Sequence, residues 1–144
     1  MVIGIFGESC VGKSSVAEEL SRRTGAGIYT GKDYLKLAKS EPEARKQFIA
    51  LLKSHETTAD ALIYVLSERE QLSLLPGHAT RVLVTADLDT IKARFVKRMK
   101  GNLSAPIAAM LEKRHGMFDN EPCDLRADST KHSVSDICDR ILQC

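Results

Sequence analysis

One stretch limits what this chain can fold into more than any other. Directly after the apolar, β-branched run MVIGIFG comes GESCVGKS, and directly after that an amphipathic segment, KSSVAEELSRRTG. From Gly7 to Ser14 the spacing is GxxxxGK[ST], placed between a strand buried on both faces and the start of a helix, which is the context a phosphate-gripping loop requires. Glycine at positions 7 and 12 admits backbone turns closed to residues with a Cβ, and such turns aim successive N–H groups inward. The helix N-terminus adds its partial positive charge. The backbone of Gly7, Glu8, Ser9, Cys10, Val11, Gly12, Lys13, Ser14 and Ser15 is therefore expected to surround a polyphosphate. Lys13 would reach between its β- and γ-phosphates, and the Ser14 hydroxyl would ligand Mg²⁺. Cys10 reads most simply as a small residue that fits the turn; a thiol activated by the same positive field is the other reading.

The rest of the chain alternates short apolar runs with helical patterns. Strands are expected at 1–7, at GIYTG (27–31), at ALIYVLSE (61–68), at RVLVTA (81–86) and within EPCDLRADST. Val16 and Leu20 mark the inner face of the first helix, which stops at Gly25. A helix from Asp33 to about Lys39 carries Leu35 and Ala38 on one side. Ser40, Pro42 and Glu43 then start a second, with Phe48, Leu51 and Leu52 as its apolar stripe. A loop or short helix is expected around LLPGH, at 74–78. Asp87 or Asp89 caps a helix through Lys100 with Ile91, Phe95 and Met99 on one face. Pro106 restarts a helix bearing Met110 and Leu111, and SVSDICDRIL closes the chain with Ile137 and Ile141 inward. Strands separated by helices pair in parallel through right-handed crossovers, and ligands then sit at the carboxyl ends of the strands. With 144 residues the chain is expected to be one domain, 1–144.

Composition excludes several classes of function. Twenty-one Lys and Arg against nineteen Asp and Glu give a formal charge of +2, without runs of like charge, so a nucleic-acid wrapper is not expected. Cys10, Cys123, Cys138 and Cys144 form no CxxC pair and have no His at metal-ligand spacing, so no zinc site is expected. Reduced thiols, a first apolar run too short for a signal segment and no membrane-length apolar stretch point to a cytoplasmic protein, monomer or dimer. His55, His78, His115 and His132 pair with no Ser or Cys in a triad setting.

The chain resembles the nucleoside-monophosphate kinase superfamily, which includes adenylate, cytidylate and shikimate kinases, from Ile3 almost to its last residue. IYTGKDYLK is similar to the STGDLLR segment of adenylate kinases. RFVKR is similar to their arginine pair, and LEKRHGMFDNEPCDLRADST resembles the segment after the lid of shikimate kinases. The resemblance implies an α/β, three-layer P-loop NTPase fold, a five-stranded parallel sheet flanked by helices, and an ATP- and Mg²⁺-dependent phosphotransferase. It implies acceptor-binding helices at about 31–58 and a short lid at about 100–107. Thr30, Asp33 and Lys36 would face the acceptor. Arg94 would cover the adenine, Arg98 would reach the γ-phosphate, and Arg114 would be a third phosphate-facing arginine. Where adenylate kinases have DGFPR this chain has VLSER, which offers Glu68 for a Mg²⁺-bound water and Arg69 for an acceptor group. The lid, GNLSAP, has no arginine, and no NKxD guanine-reading motif is present.

The acceptor is less constrained. An acceptor phosphate needs cations, here Lys32, Lys36 or Arg69; an acceptor hydroxyl gains from a carboxylate that takes its proton, here Asp33. The Thr-Gly entry and Lys36 favour a nucleoside monophosphate. Shikimate-like transfer to a hydroxyl is the alternative, and a slow ATPase or ATP-binding regulator is a third reading, suggested by the short lid.

Overall fold

A computed structural model describes residues 1–144. Five strands form one sheet: β1 (Val2–Phe6), β2 (Gly27–Thr30), β3 (Leu62–Leu66), β4 (Thr80–Thr85) and β5 (Leu125–Asp128). Their order is β2-β3-β1-β4-β5 and every pairing is parallel. The glycine-rich loop thus leaves the central strand, with β3 on one side and β4 on the other; Ile5 registers with both Val65 and Val82.

Alternation along the strands divides the core into two layers. Ile3, Ile5, Ile63, Val65, Val82 and Val84 face helices α1 (Lys13–Thr24), α3 (Leu88–Arg98) and α5 (Val134–Leu142) through Val16, Leu20, Ile91, Ile137 and Ile141. Val2, Phe6, Leu62, Tyr64, Leu66 and Leu83 face the other way, onto Ala44, Phe48 and Leu52 of α2 (Glu41–Ser54). Strands buried on both faces explain the continuous apolar runs. Gly4 lies where a Cβ would stand 2.5 Å from Leu75 Cδ1, so this strand position closes over Leu75 only without a side chain. Helix α4 (Ala105–Arg114) completes the set, and no helix is long and apolar enough to cross a membrane.

Capping follows the sequence in α2, where Ser40 accepts from Glu43 N–H; Ser104 and Ser133, not read as caps from the sequence, cap α4 and α5 in the same way. α1 ends at Gly25 in the left-handed region. Four expectations differ. Asp33–Leu37 is a 3₁₀ turn, and its buried residue is Tyr34, stacked on Phe48 with ring centres 5.2 Å apart; Leu35 is 38% exposed. Three residues per turn present a different set than 3.6 would. α3 stops at Arg98 because Gly101 N–H bonds back to Val96 O, which leaves Met99 outside the helix and 51% exposed. Asp87 is the N-cap residue of α3, yet its side chain does not cap; its N–H donates to Thr130 Oγ1. Between β3 and β4 the helical piece is a 3₁₀ turn over Arg69–Leu74, earlier than LLPGH.

Candidate functional site

The loop after β1 is shaped by glycine at both ends. A Cβ at Gly7 would stand 2.4 Å from Val84 O, and Gly12, at φ +102, is the N-cap of α1. Between them Cys10 adopts φ +65, an uncommon conformation for a residue with a side chain. Four carbonyls of the loop take protein donors. Gly7 O and Glu8 O accept from Lys13 Nζ at 2.7 and 2.5 Å, Cys10 O accepts from Arg94 Nη1 at 3.1 Å, and Val11 O accepts from Ser129 Oγ at 2.5 Å. None of the main-chain N–H groups from Glu8 to Gly12, which lie outside every helix and strand, donates to another protein group. The first-turn N–H groups of α1 have no helical partner by geometry. The protein therefore commits the loop's oxygens to its own cations and hydroxyls and leaves a row of donors unmatched. An unmatched donor row with the positive end of a helix behind it is an anion site.

Lys13 is 7% exposed, and burial pushes its ammonium down to about 8, with the Arg98 guanidinium adding to the effect against the opposing pull of Cys10, Glu8 and Glu68. It borders a cavity of about 160 Å³ together with Ser14, Ser15, Thr30, Ser67 and Arg98. A second cavity, of about 500 Å³, shares Cys10, Gly12, Ser15 and Arg98 with the first and extends over Val16, Arg94, Lys97, Ser129, His132, Ser133 and Val134. The two form one cleft across the loop, at the carboxyl ends of β1, β3 and β5.

The other candidates fall into three groups. Arg98, Ser14, Ser15, Ser9 and Thr30 border the small cavity. Arg94 faces the larger one but is tied to the loop, bonding Cys10 O, Ser129 Oγ and Ser129 O, so it braces the cleft wall. Arg114 pairs with Glu68 at 3.5 Å beyond the end of β3, and Arg69 bonds Glu121 at 3.0 Å; neither borders the small cavity. Asp33 Oδ2 accepts from Thr30 N–H at 2.9 Å but does not itself border the small cavity, while Lys36 is exposed and bonds nothing. Glu8 borders no part of the small cavity: its carboxylate accepts from Gly116 N–H and faces His115.

Ser67, Ser129 and His132 belong to the cleft and were not singled out from the sequence. Ser67 follows β3 and Ser129 follows β5, so the rule that ligands sit beyond strand carboxyl ends was the available signal. Ser129 also joins the loop to β4 through Thr85 O, a contact that only the sheet order creates.

No protein-family model matches the chain, and no curated protein matches it by sequence. Solved structures do match by shape. A shikimate kinase from Acinetobacter baumannii in complex with shikimate is similar with a TM-score of 0.66 at 13% identity, over 99% of this chain and 90% of that one. A gluconokinase from Sinorhizobium meliloti 1021 gives 0.63 at 15% identity, over 99% and 89%. The tunicamycin resistance protein of Deinococcus radiodurans gives 0.67 at 19% identity, over 99% and 93%. The fold is the three-layer P-loop kinase fold, a five-stranded parallel sheet between helices, as the sequence resemblance implies.

Proposed function

We propose that the chain is an ATP-dependent phosphotransferase acting on a small molecule, and that the group it phosphorylates is a hydroxyl. The observation that carries the first part is the loop itself, with the carbonyls of Gly7, Glu8, Cys10 and Val11 taken by protein donors and the N–H groups of Glu8 to Gly12 left for a ligand. Phosphoryl transfer spreads charge over equatorial oxygens, so positioning and cations carry most of the catalysis. Lys13 and Arg98 border the phosphate cavity and would hold that charge; Arg114 would join them by leaving Glu68. Mg²⁺ suits the oxygen donors present, because the Ser14 hydroxyl borders the cavity and makes no protein hydrogen bond, and Glu68 stands beyond the end of β3. No cluster of three His, Cys, Asp or Glu forms a cage, which agrees with an ion held mainly by phosphates and water. When bound, such an ion neutralises charge on the β- and γ-oxygens.

The hydroxyl acceptor is favoured by what faces the cavity on that side. Thr30 and Ser67, both hydroxyl-bearing, border it, and none of Asp33, Lys36 and Arg69 does. Asp33 is bonded to the N–H of the bordering Thr30, and it would be the carboxylate that takes the proton of an acceptor hydroxyl placed there. The matched structures described as shikimate kinase and gluconokinase support the same choice. The nucleoside monophosphate preferred on sequence becomes the second reading, supported by Lys36 and the Thr30-Gly31 entry. ATP consumption measured against a panel of sugars, sugar acids, cyclic polyols and nucleoside monophosphates separates the two. For the hydroxyl substrate found, Asp33→Asn is expected to lower kcat by about 10² to 10⁴ with little change in KM for ATP. A nucleoside monophosphate as the sole productive acceptor, or full activity in Asp33→Asn, contradicts the hydroxyl reading.

A further inference from the structure

A carboxylate inside a polyphosphate-binding loop is a poor fit on electrostatic grounds, because it repels the ligand the loop is built for. Glu8 is such a residue, and its side chain is only 12% exposed. Burying a charge is unfavourable unless it is matched, and here two groups match it: Gly116 N–H donates to Oε1 at 2.6 Å, and His115 Nδ1 lies 3.2 Å from the same oxygen. Glu8 also presents its main-chain carbonyl to Lys13 Nζ. One residue thus touches the phosphate-facing lysine with its backbone and the turn after α4 with its side chain.

That turn carries Arg114. Gly116 holds φ +81, a Cβ there would stand 2.9 Å from Asp119 Oδ2, and Met117 N–H bonds back to Arg114 O. A short apolar anchor follows, Phe118 edge-on to Phe6 with centres 5.5 Å apart. Phe118 fixes the far side of the turn to the sheet; the near side, beside Arg114, is tied to the loop through Glu8.

We infer that Glu8 is a positioning residue that clamps the turn at His115 and Gly116 onto the loop and so sets Arg114 where it can leave Glu68 and meet the γ-phosphate. The inference rests on the phosphotransferase reading above and goes beyond it, since it concerns the Glu8 carboxylate, which is bonded to the turn and borders no part of the small cavity.

Electrostatics and positioning predict opposite signs. Removing the negative charge of Glu8 for its own sake strengthens binding of both nucleotides, and of the more highly charged ATP the more; losing the clamp weakens ATP relative to ADP, which has no γ-phosphate. The experiment is equilibrium titration of the full chain with Mg-ATP and with Mg-ADP, reporting the ratio of the two Kd values for wild type, Glu8→Ala, Glu8→Gln, Arg114→Ala and Glu8→Ala/Arg114→Ala. The wild type is expected to prefer ATP. Glu8→Ala is expected to lose about 10- to 100-fold of that preference, read as the ratio of the two Kd values, the size of one charge-assisted contact. Glu8→Gln keeps an oxygen for Gly116 N–H and is expected to retain most of it. The double variant is expected to equal Arg114→Ala alone, because Glu8 acts through that arginine. Where Glu8→Ala does not give a cooperative melt, Glu8→Asp serves: it keeps the charge but is one carbon too short to span to Gly116, and the same loss is expected. Unchanged or increased preference for ATP in a folded Glu8→Ala or Glu8→Asp, additive losses in the double variant, or a wild type without preference overturns the inference while nucleotide binding stands. A wild type that binds neither nucleotide overturns the phosphotransferase reading and the inference with it.

Discussion

Lys13 sits between two demands that its surroundings set against each other. Burial pushes its pKa down to about 8, below the ordinary lysine value of 10.5 that the unfolded chain retains. Between those two values the unfolded chain binds the additional proton, so this residue's contribution to stability rises with pH across that window and is least favourable below about 8. Binding of a polyphosphate runs the other way, because only the ammonium attracts it. Mg-ATP affinity, titrated from about pH 7 to pH 9.5, is expected to fall once the pH passes Lys13's value, approaching tenfold per unit. Affinity that holds level across that range contradicts the assignment of Lys13 to the phosphates. At this scale the sequence announced the loop because its geometry admits few residue types: Gly7 presses on Val84 O, and nothing larger fits. It did not announce the brace of Arg94 on Cys10 O or of Ser129 on Val11 O, because those partners lie 84 and 118 positions apart and no local pattern links them.

Among the elements, those with chemical start and stop signals were legible, and those whose character depends on neighbours were not. Ser40 accepts from the N–H three residues on, as the Ser40 to Glu43 spacing predicts, and Ser104 and Ser133 form the same bond at the starts of α4 and α5. Ser133→Ala is expected to cost about 1 kcal/mol, seen as a fall of a few degrees in Tm. A melting temperature equal to wild type would show that α5 is held by packing against α1 alone, where Arg23 also reaches Asp139 and Ser135. The segment from Asp33 was harder to read because its conformation is chosen by Phe48: stacking of Tyr34 on that ring, and Tyr64 OH donating to Gly31 O, draw the chain into a 3₁₀ turn. Periodicity assigned Leu35 to the inside; a partner on another helix assigned Tyr34.

For the molecule as a whole, the order β2-β3-β1-β4-β5 brings the cleft together, gathering residues from the ends of β1, β3 and β5 around α1. Alternating strands and helices implied parallel pairing, whereas strand order is set by which faces of the helices match, and local sequence does not record it. The packing also sorts the cysteines. Cys123 and Cys144 are exposed, Cys10 and Cys138 are buried, and burial raises the pKa of Cys138. A thiol reagent is expected to modify Cys123 and Cys144 quickly and Cys138 last, with Cys10 protected by Mg-ATP because it borders both parts of the cleft. Four thiols reacting at one rate, or a Cys10 rate that nucleotide does not change, would contradict the cleft described here.

The most direct test of the central claim, that the N–H row after β1 grips a polyphosphate, is a backbone amide NMR titration of the chain with Mg-ATP. The amides of Glu8 to Ser14 are expected to move most and saturably, with the effect abolished in Lys13→Ala. Amides of the loop that stay in place while nucleotide is added, or shifts spread evenly over the surface and kept in Lys13→Ala, would contradict it.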